Sequence, residues 1–216
     1  MKNYKNILGE NISINQFNLL DENILETIDD TTGELKIIET TRMGRQFQTR
    51  GYDYFLDISE DKNNIIQLYM SKSLFKGISI YENKTNLFGF TAYDVEDYNK
   101  EGVLSYKNKE VYDSLNRIVF YCSFDLLTNE IRKSVTPVKY YYGNENDLPD
   151  LILKFTYEFN EDLNQFVTYV LDENDVTLQF NTMNTAKFIE VFGQEFWDSH
   201  PYYHSLYPLL PTSANP

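Results

Sequence analysis

Few side chains in this sequence are placed for chemistry, and those that are fall into three groups. The only two histidines, His200 and His204, stand four apart beside Asp198. On a helix that spacing would point both imidazoles to one side, as metal ligation requires. Pro201 interrupts such a helix and no third ligand is fixed by spacing. The reading is therefore two histidines hydrogen-bonded in an aromatic segment, with no metal and no cofactor. Arg42, Arg45 and Arg50 are three of the five arginines and fall within nine residues. Beside Phe47, Tyr52 and Tyr54, their guanidinium groups could grip a phosphate or carboxylate in a possible anion-binding site, or pair internally with carboxylates of the same chain. Cys122 is the single cysteine, so neither an internal disulfide nor a thiolate metal cluster can form. It alternates in phase with Ile118, Phe120 and Phe124, the pattern of an inert buried thiol.

Other catalytic signatures are missing from the sequence. There is no Walker-type phosphate loop, no glycine-rich dinucleotide turn, no nucleophile elbow and no paired cysteines for zinc. The 33 acidic side chains put many carboxylates close by chance, so no acid and base pair can be singled out. The expectation is a protein that is not an enzyme.

Charge and ring content point towards binding. The 216 residues carry 18 Tyr, 15 Phe and 1 Trp on a formal net charge of −14. From Glu10 to Glu34 there are seven acidic residues and no Lys or Arg, and from Gly143 to Asp175 nine acidic residues against Lys154 alone. Such blocks repel nucleic acid and anionic membranes and speed association with a basic partner; a solvated acidic surface kept for solubility would carry the same charge. The second block adjoins Tyr140, Tyr141 and Tyr142. The expected partner surface is therefore those tyrosines with Glu145, Asp147, Asp150, Glu161, Asp162, Asp172 and Glu173. No apolar N-terminal stretch and no run of 18 apolar residues is present, so the chain reads as soluble and cytoplasmic.

Strands must position these groups. Residues 117–124 alternate Ile118, Phe120, Cys122 and Phe124 against Val119, Tyr121 and Ser123, and 151–159 alternate Leu151, Leu153, Phe155, Tyr157 and Phe159 against Ile152, Lys154, Thr156 and Glu158. Residues 165–171 and 176–180 continue the pattern. Short turn-rich links favour antiparallel hairpins. The stretches Asp29–Lys36 and Asp125–Arg132 match each other: Asp, then Thr, then Gly or Asn, then an acidic, an aliphatic and a basic residue. The same turn is expected twice. A helix is predicted over 61–77 with Gly77 ending it, and a second over 184–198 capped by Asn184 or Thr185. After it come four of the six prolines, so residues 199–216 run extended. Its Tyr202, Tyr203, Leu206 and Tyr207 need cover, from the domain itself or from a partner. The expected fold is α+β, mainly β: one domain over 1–216, a curved antiparallel meander sheet with a C-terminal helix packed on one face and an extended proline-rich tail.

The run Tyr112, Asp113, Ser114, Leu115, Asn116, Arg117, followed by a strand, resembles the YD repeat of Rhs-type polymorphic toxin systems, with Asn116 where that pattern has Gly. The resemblance covers about one hairpin and implies strand-and-turn geometry in a toxin and immunity context. With the acidic, aromatic composition it leads to an expected role: an immunity protein, a non-catalytic inhibitor that covers a basic bacterial toxin domain. The alternative is a sugar- or nucleotide-binding module or small enzyme using the three arginines.

Overall fold

The computed structural model describes residues 1–43, 48–132, 134–144, 147–157, 163–171 and 177–214. The chain forms two compact units: Met1–Asn83 with Asp94–Lys107, and Lys84–Tyr93 with Asn108–Pro216.

The first unit contains β1 (Lys2–Asn6), the single-turn helix α1 (Ile14–Phe17), β2 (Glu22–Ile28), β3 (Leu35–Met43), β4 (Gln48–Phe55) and helix α2 (Lys62–Met70). Strands β5 (Phe75–Leu87), β6 (Phe90–Tyr98) and β7 (Leu104–Tyr112) contribute residues to both units. Strands β1 to β4 pair antiparallel in chain order. The expected meander breaks at β4 and β5, which pair parallel, because α2 carries the chain back over the sheet in place of a hairpin. Asp61 caps α2 by accepting from the amides of Asn63 and Asn64, and the helix ends at Ser71. Its buried Ile66 and the half-buried Tyr69 and Met70 lie against Tyr52, Tyr54, Ile78 and Ile80, the core of this unit. The helix is thus shorter than its sequence pattern, and Gly77 lies inside β5.

The second unit adds β8 (Ile118–Phe124), β9 (Val138–Asn144), β10 (Asp147–Tyr157), β11 (Leu163–Leu171) and β12 (Thr177–Met183), all antiparallel in chain order. They are followed by α3 (Thr185–Phe192), α4 (Gln194–Ser199) and a 3-10 turn, Pro201–Tyr203. The one long helix expected from 184 to 198 is two, broken at Gly193, whose φ of 92° no helix accommodates. Asn184 caps α3 through the Lys187 amide. Phe188, fully buried, places its ring 6.0 Å from Phe155, so the helix packs on the face that carries Leu153, Phe155 and Tyr157. The tail packs back on its own unit: Tyr202, Tyr203 and Leu206 are buried there. The fold is mainly β, with mostly antiparallel pairing. Among the described residues no helix is long and apolar enough to cross a membrane.

The matched turns adopt one geometry. Asp29 Oδ1 accepts from the amides of Thr31 and Thr32, and Asp125 Oδ1 from those of Leu127 and Thr128. Thr32 and Thr128 hydroxyls accept from the amides of Glu34 and Glu130. Gly33 and Asn129 take the left-handed conformation at φ 72° and 58°. A second turn design recurs at Asn6, Asn99 and Asp113. Each side-chain oxygen accepts from the amides two and four residues on, and Gly9, Gly102 and Asn116 supply the positive φ.

Backbone amides hold the carboxyls of Asp29 and Asp125 below their usual range, with Thr32 and Thr128 the largest contributors. A depressed carboxyl stabilises the fold above its unfolded value of 3.8 and loses that contribution as pH falls through the lower folded value. Asp125→Asn keeps the acceptor oxygen and removes the titration. It is expected to be less stable than the wild type in chemical denaturation at pH 7 and, losing less as pH falls below 3.8, to converge on it in acid. An unchanged acid slope would sink this account.

Candidate binding notch in the second unit

One concavity of about 510 Å³ in the second unit brings together Tyr140 to Tyr142 and His200, which the sequence singles out as chemical groups, with Arg117 and Asp113, which it does not. The β7–β8 turn builds the polar wall. Asp113 Oδ1 accepts from the amides of Leu115 and Arg117 at 3.0 and 2.8 Å, and Oδ2 from Arg117 Nε at 2.7 Å. Asn116, at the place where the YD pattern has Gly, holds φ 62°. The Arg117 guanidinium then lies 4.3 Å over the ring of Tyr142, a geometry in which positive charge meets the negative face of the ring. Tyr142 donates its hydroxyl to Ile118 O at 2.9 Å, and burial raises its pKa. Arg117 is thus fixed in direction while 40% of its side chain stays exposed.

Strand alternation sets the aromatic wall. Tyr140 and Tyr142 point to the same side of β9, half-buried and stacked 6.3 Å apart at 25°. Tyr141 points to the core side and meets Phe196 edge-on at 5.2 Å. The same concavity is lined by the two-residue turn between β5 and β6, where Phe88 and Gly89 hold φ 54° and 87°. Both positive angles mark the mirror-image hairpin turn that Asn-Gly or Gly-Gly normally fills. A bulky side chain there is strained by roughly 1–2 kcal/mol, yet Phe88 remains 53% exposed.

The histidines act as rings among rings. His200 stacks on Phe196 at 4.2 Å and sets Nδ1 2.8 Å from Phe196 O; His204 stacks on Trp197 at 3.8 Å and sets Nε2 2.8 Å from Trp197 O. Each of those nitrogens must carry its proton to donate to a carbonyl. The bland reading of the pair, histidines hydrogen-bonded in an aromatic segment, is the one observed. Cys122 is buried, as its phase on β8 requires.

No family model, no curated protein and no solved structure matches this chain.

The arginine group lies in the first unit. Arg42 Nε is 3.9 Å from Glu22 and Arg50 Nε 3.4 Å from Glu39; Arg45 lies outside the described residues. Of the expected acidic surface, Glu145, Glu161, Asp162, Asp172 and Glu173 also lie outside them. Asp147 and Asp150 belong to the backbone of β10.

One residue that sequence reasoning passed over dominates the second unit. Lys139 is fully buried in β9, its Cα opposite Phe120 on one side and Phe155 on the other. Its ammonium donates to the carbonyl oxygens of Tyr202, Ser205 and Pro208 at 2.7, 2.8 and 3.0 Å, and sits 3.8 Å over the ring of Tyr202. Tyr157 and Tyr203 add hydroxyl bonds to Tyr203 O and Tyr140 O. The tail is therefore fastened by Lys139 and Tyr157 donating to its carbonyls and by its own Tyr203 donating to β9, and it delivers His200 and Tyr203 to the notch. The signal was the phase of β9: Tyr141 at the next inward position marks 139 as a core site.

Proposed function

We propose that this chain is a non-catalytic inhibitor that holds a basic protein partner, in the manner of an immunity protein covering a cognate bacterial toxin domain in the cytoplasm. The observation that carries the reading is the notch. Successive tyrosines line a concave surface together with an exposed Phe88, on a chain of net charge −14. Large aromatic side chains at the centre of an interface supply most of its binding energy, and the net negative charge of the chain attracts a basic partner. The carbonyl contacts of His200 and His204 also commit those rings to structure.

The test is co-expression with the product of a neighbouring reading frame that encodes a basic toxin-like domain. Expected results are rescue of growth, a co-purifying complex of defined mass, and an association rate that falls as salt rises. Tyr142→Ala is expected to weaken the complex at least about ten-fold, since truncating a central aromatic anchor removes 1.4 kcal/mol or more. Unrescued growth together with independent migration of the two proteins would overturn the reading.

A further inference from the structure

The notch reads one chemistry beyond general stickiness, and two independent features specify it. The first is Phe88. A turn with two positive φ angles is best served by Asn, Asp or Gly, yet it holds a bulky ring, in strain and 53% exposed. Strain kept where a better local residue exists is a mark of function. A ring there lines the same notch as the stacked Tyr140 and Tyr142, so the concavity offers aromatic surface to a flat group.

The second feature is charge. Asp113, the carboxylate lining the notch, spends both oxygens on Leu115, Arg117 N and Arg117 Nε and its side chain is 12% exposed. It has little capacity left for a cationic ligand. Arg117 is the opposite case. Its Nε is bound and one face is covered by Tyr142, while the two terminal nitrogens meet no acceptor among the described residues. A guanidinium fixed in direction with its terminal donors open is suited to an oxyanion.

We propose that the notch is a binding site for a planar aromatic group bearing an oxyanion, the ring held against Phe88 and the Tyr140–Tyr142 pair and the carboxylate or phosphate on Arg117. This rests on the notch being the binding surface and goes beyond the partner reading, which complex formation tests separately.

The experiment is a titration of the full chain followed by amide NMR, with N-acetyl-L-phenylalanine and phenyl phosphate as ring-bearing anions. N-acetyl-L-phenylalanine amide supplies the ring without charge and phenethylamine the ring with a cation. The anions are expected to shift the amides of residues 88–90, 117 and 140–142 and to bind at least ten-fold more tightly than the amide or the amine. Arg117→Gln is expected to erase that preference. Phe88→Asn is expected to weaken anion binding at least five-fold while leaving the thermal midpoint equal or up to about 4 °C higher, because strain is relieved. Equal or tighter binding of the amide or amine overturns the proposal. So does a response confined to other residues, or a Phe88→Asn variant that lowers the midpoint and keeps full affinity.

Discussion

Lys139→Met is expected to lower the unfolding free energy by about 3 kcal/mol and to release the C-terminal segment from the second unit. The argument starts from what the side chain satisfies. Tyr202 O, Ser205 O and Pro208 O converge on one ammonium, and each carbonyl left buried without a donor costs about 1–3 kcal/mol. Methionine fills the same volume and offers no proton. Against this stands the relief of no longer burying an amine, which alone would make an apolar residue preferable. Three carbonyls and a ring at 3.8 Å outweigh it. Hydrogen exchange across residues 200–210 is the direct readout: it should accelerate in the variant while α2 in the first unit is unaffected. Unchanged exchange with unchanged stability would defeat the clamp reading. Exogenous methylammonium entering the cage of Lys139→Ala should restore part of the protection.

The same residue sets a pH dependence. Burial pushes the Lys139 amine down to about 7 from an ordinary 10.5. Below about pH 7 both folded and unfolded chains hold the proton and stability is flat. Between about 7 and 10.5 the unfolded chain holds more protons, so stability rises with pH, by at most roughly 1.4 kcal/mol per unit. The groups facing the amine are neutral: the rings of Tyr202 and Tyr157, whose own ionisation burial pushes well upward. The three carbonyl acceptors favour the ammonium, so the climb is shallower than that limit. Methionine at 139 should remove it, and the difference between the two denaturation series isolates the group.

Strand phase and turn chemistry were legible in the sequence because both are local. The core face of β10, the buried thiol of β8 and the matched turns at Asp29 and Asp125 follow from period-2 alternation and from the few residues that accept positive φ. What was not legible depends on distant partners. Strand phase places Lys139 inward with Tyr141, but what satisfies its buried ammonium is invisible until the tail, more than sixty residues later, supplies the acceptors. The notch is likewise assembled from the β5–β6 turn, the β7–β8 turn, β9 and the tail, and no single window holds it. The tyrosines of 140–142 stand out in the sequence as a run; Arg117 and Phe88 do not, since an Arg after an Asp-headed turn and a Phe before Gly look ordinary until φ is known. Gly77 shows the same limit from the other side. Its sequence position suited a helix end, but Ser71 performs that task.

Gly77→Ala is expected to be the most damaging single methyl in the first unit. Between the pairs Arg50↔Phe75 and Tyr52↔Ile78, β4 has Gly51 alone while β5 has Lys76 and Gly77, so β5 carries a one-residue bulge. The bulge presses the Gly77 backbone against β6: a Cβ there would stand 1.5 Å from Tyr98 O and 2.6 Å from its carbonyl carbon. Both neighbours are main chain, which cannot swing aside as a side-chain tip would. Accommodating the methyl means parting β5 from β6 beside the buried Ile78 and Ile80, at a cost of about 3 kcal/mol or more. Gly193→Ala provides the contrast. There nothing lies within 4 Å and only φ 92° opposes the side chain, so the loss should stay near 1–2 kcal/mol. Urea denaturation of both variants ranks the effects, and equal losses would show that strand proximity is not what reserves position 77 for glycine. The ranking matters for the notch as well: Gly77 lies in the first unit and the notch in the second, so a folded fraction of Gly77→Ala should bind notch ligands with unchanged affinity.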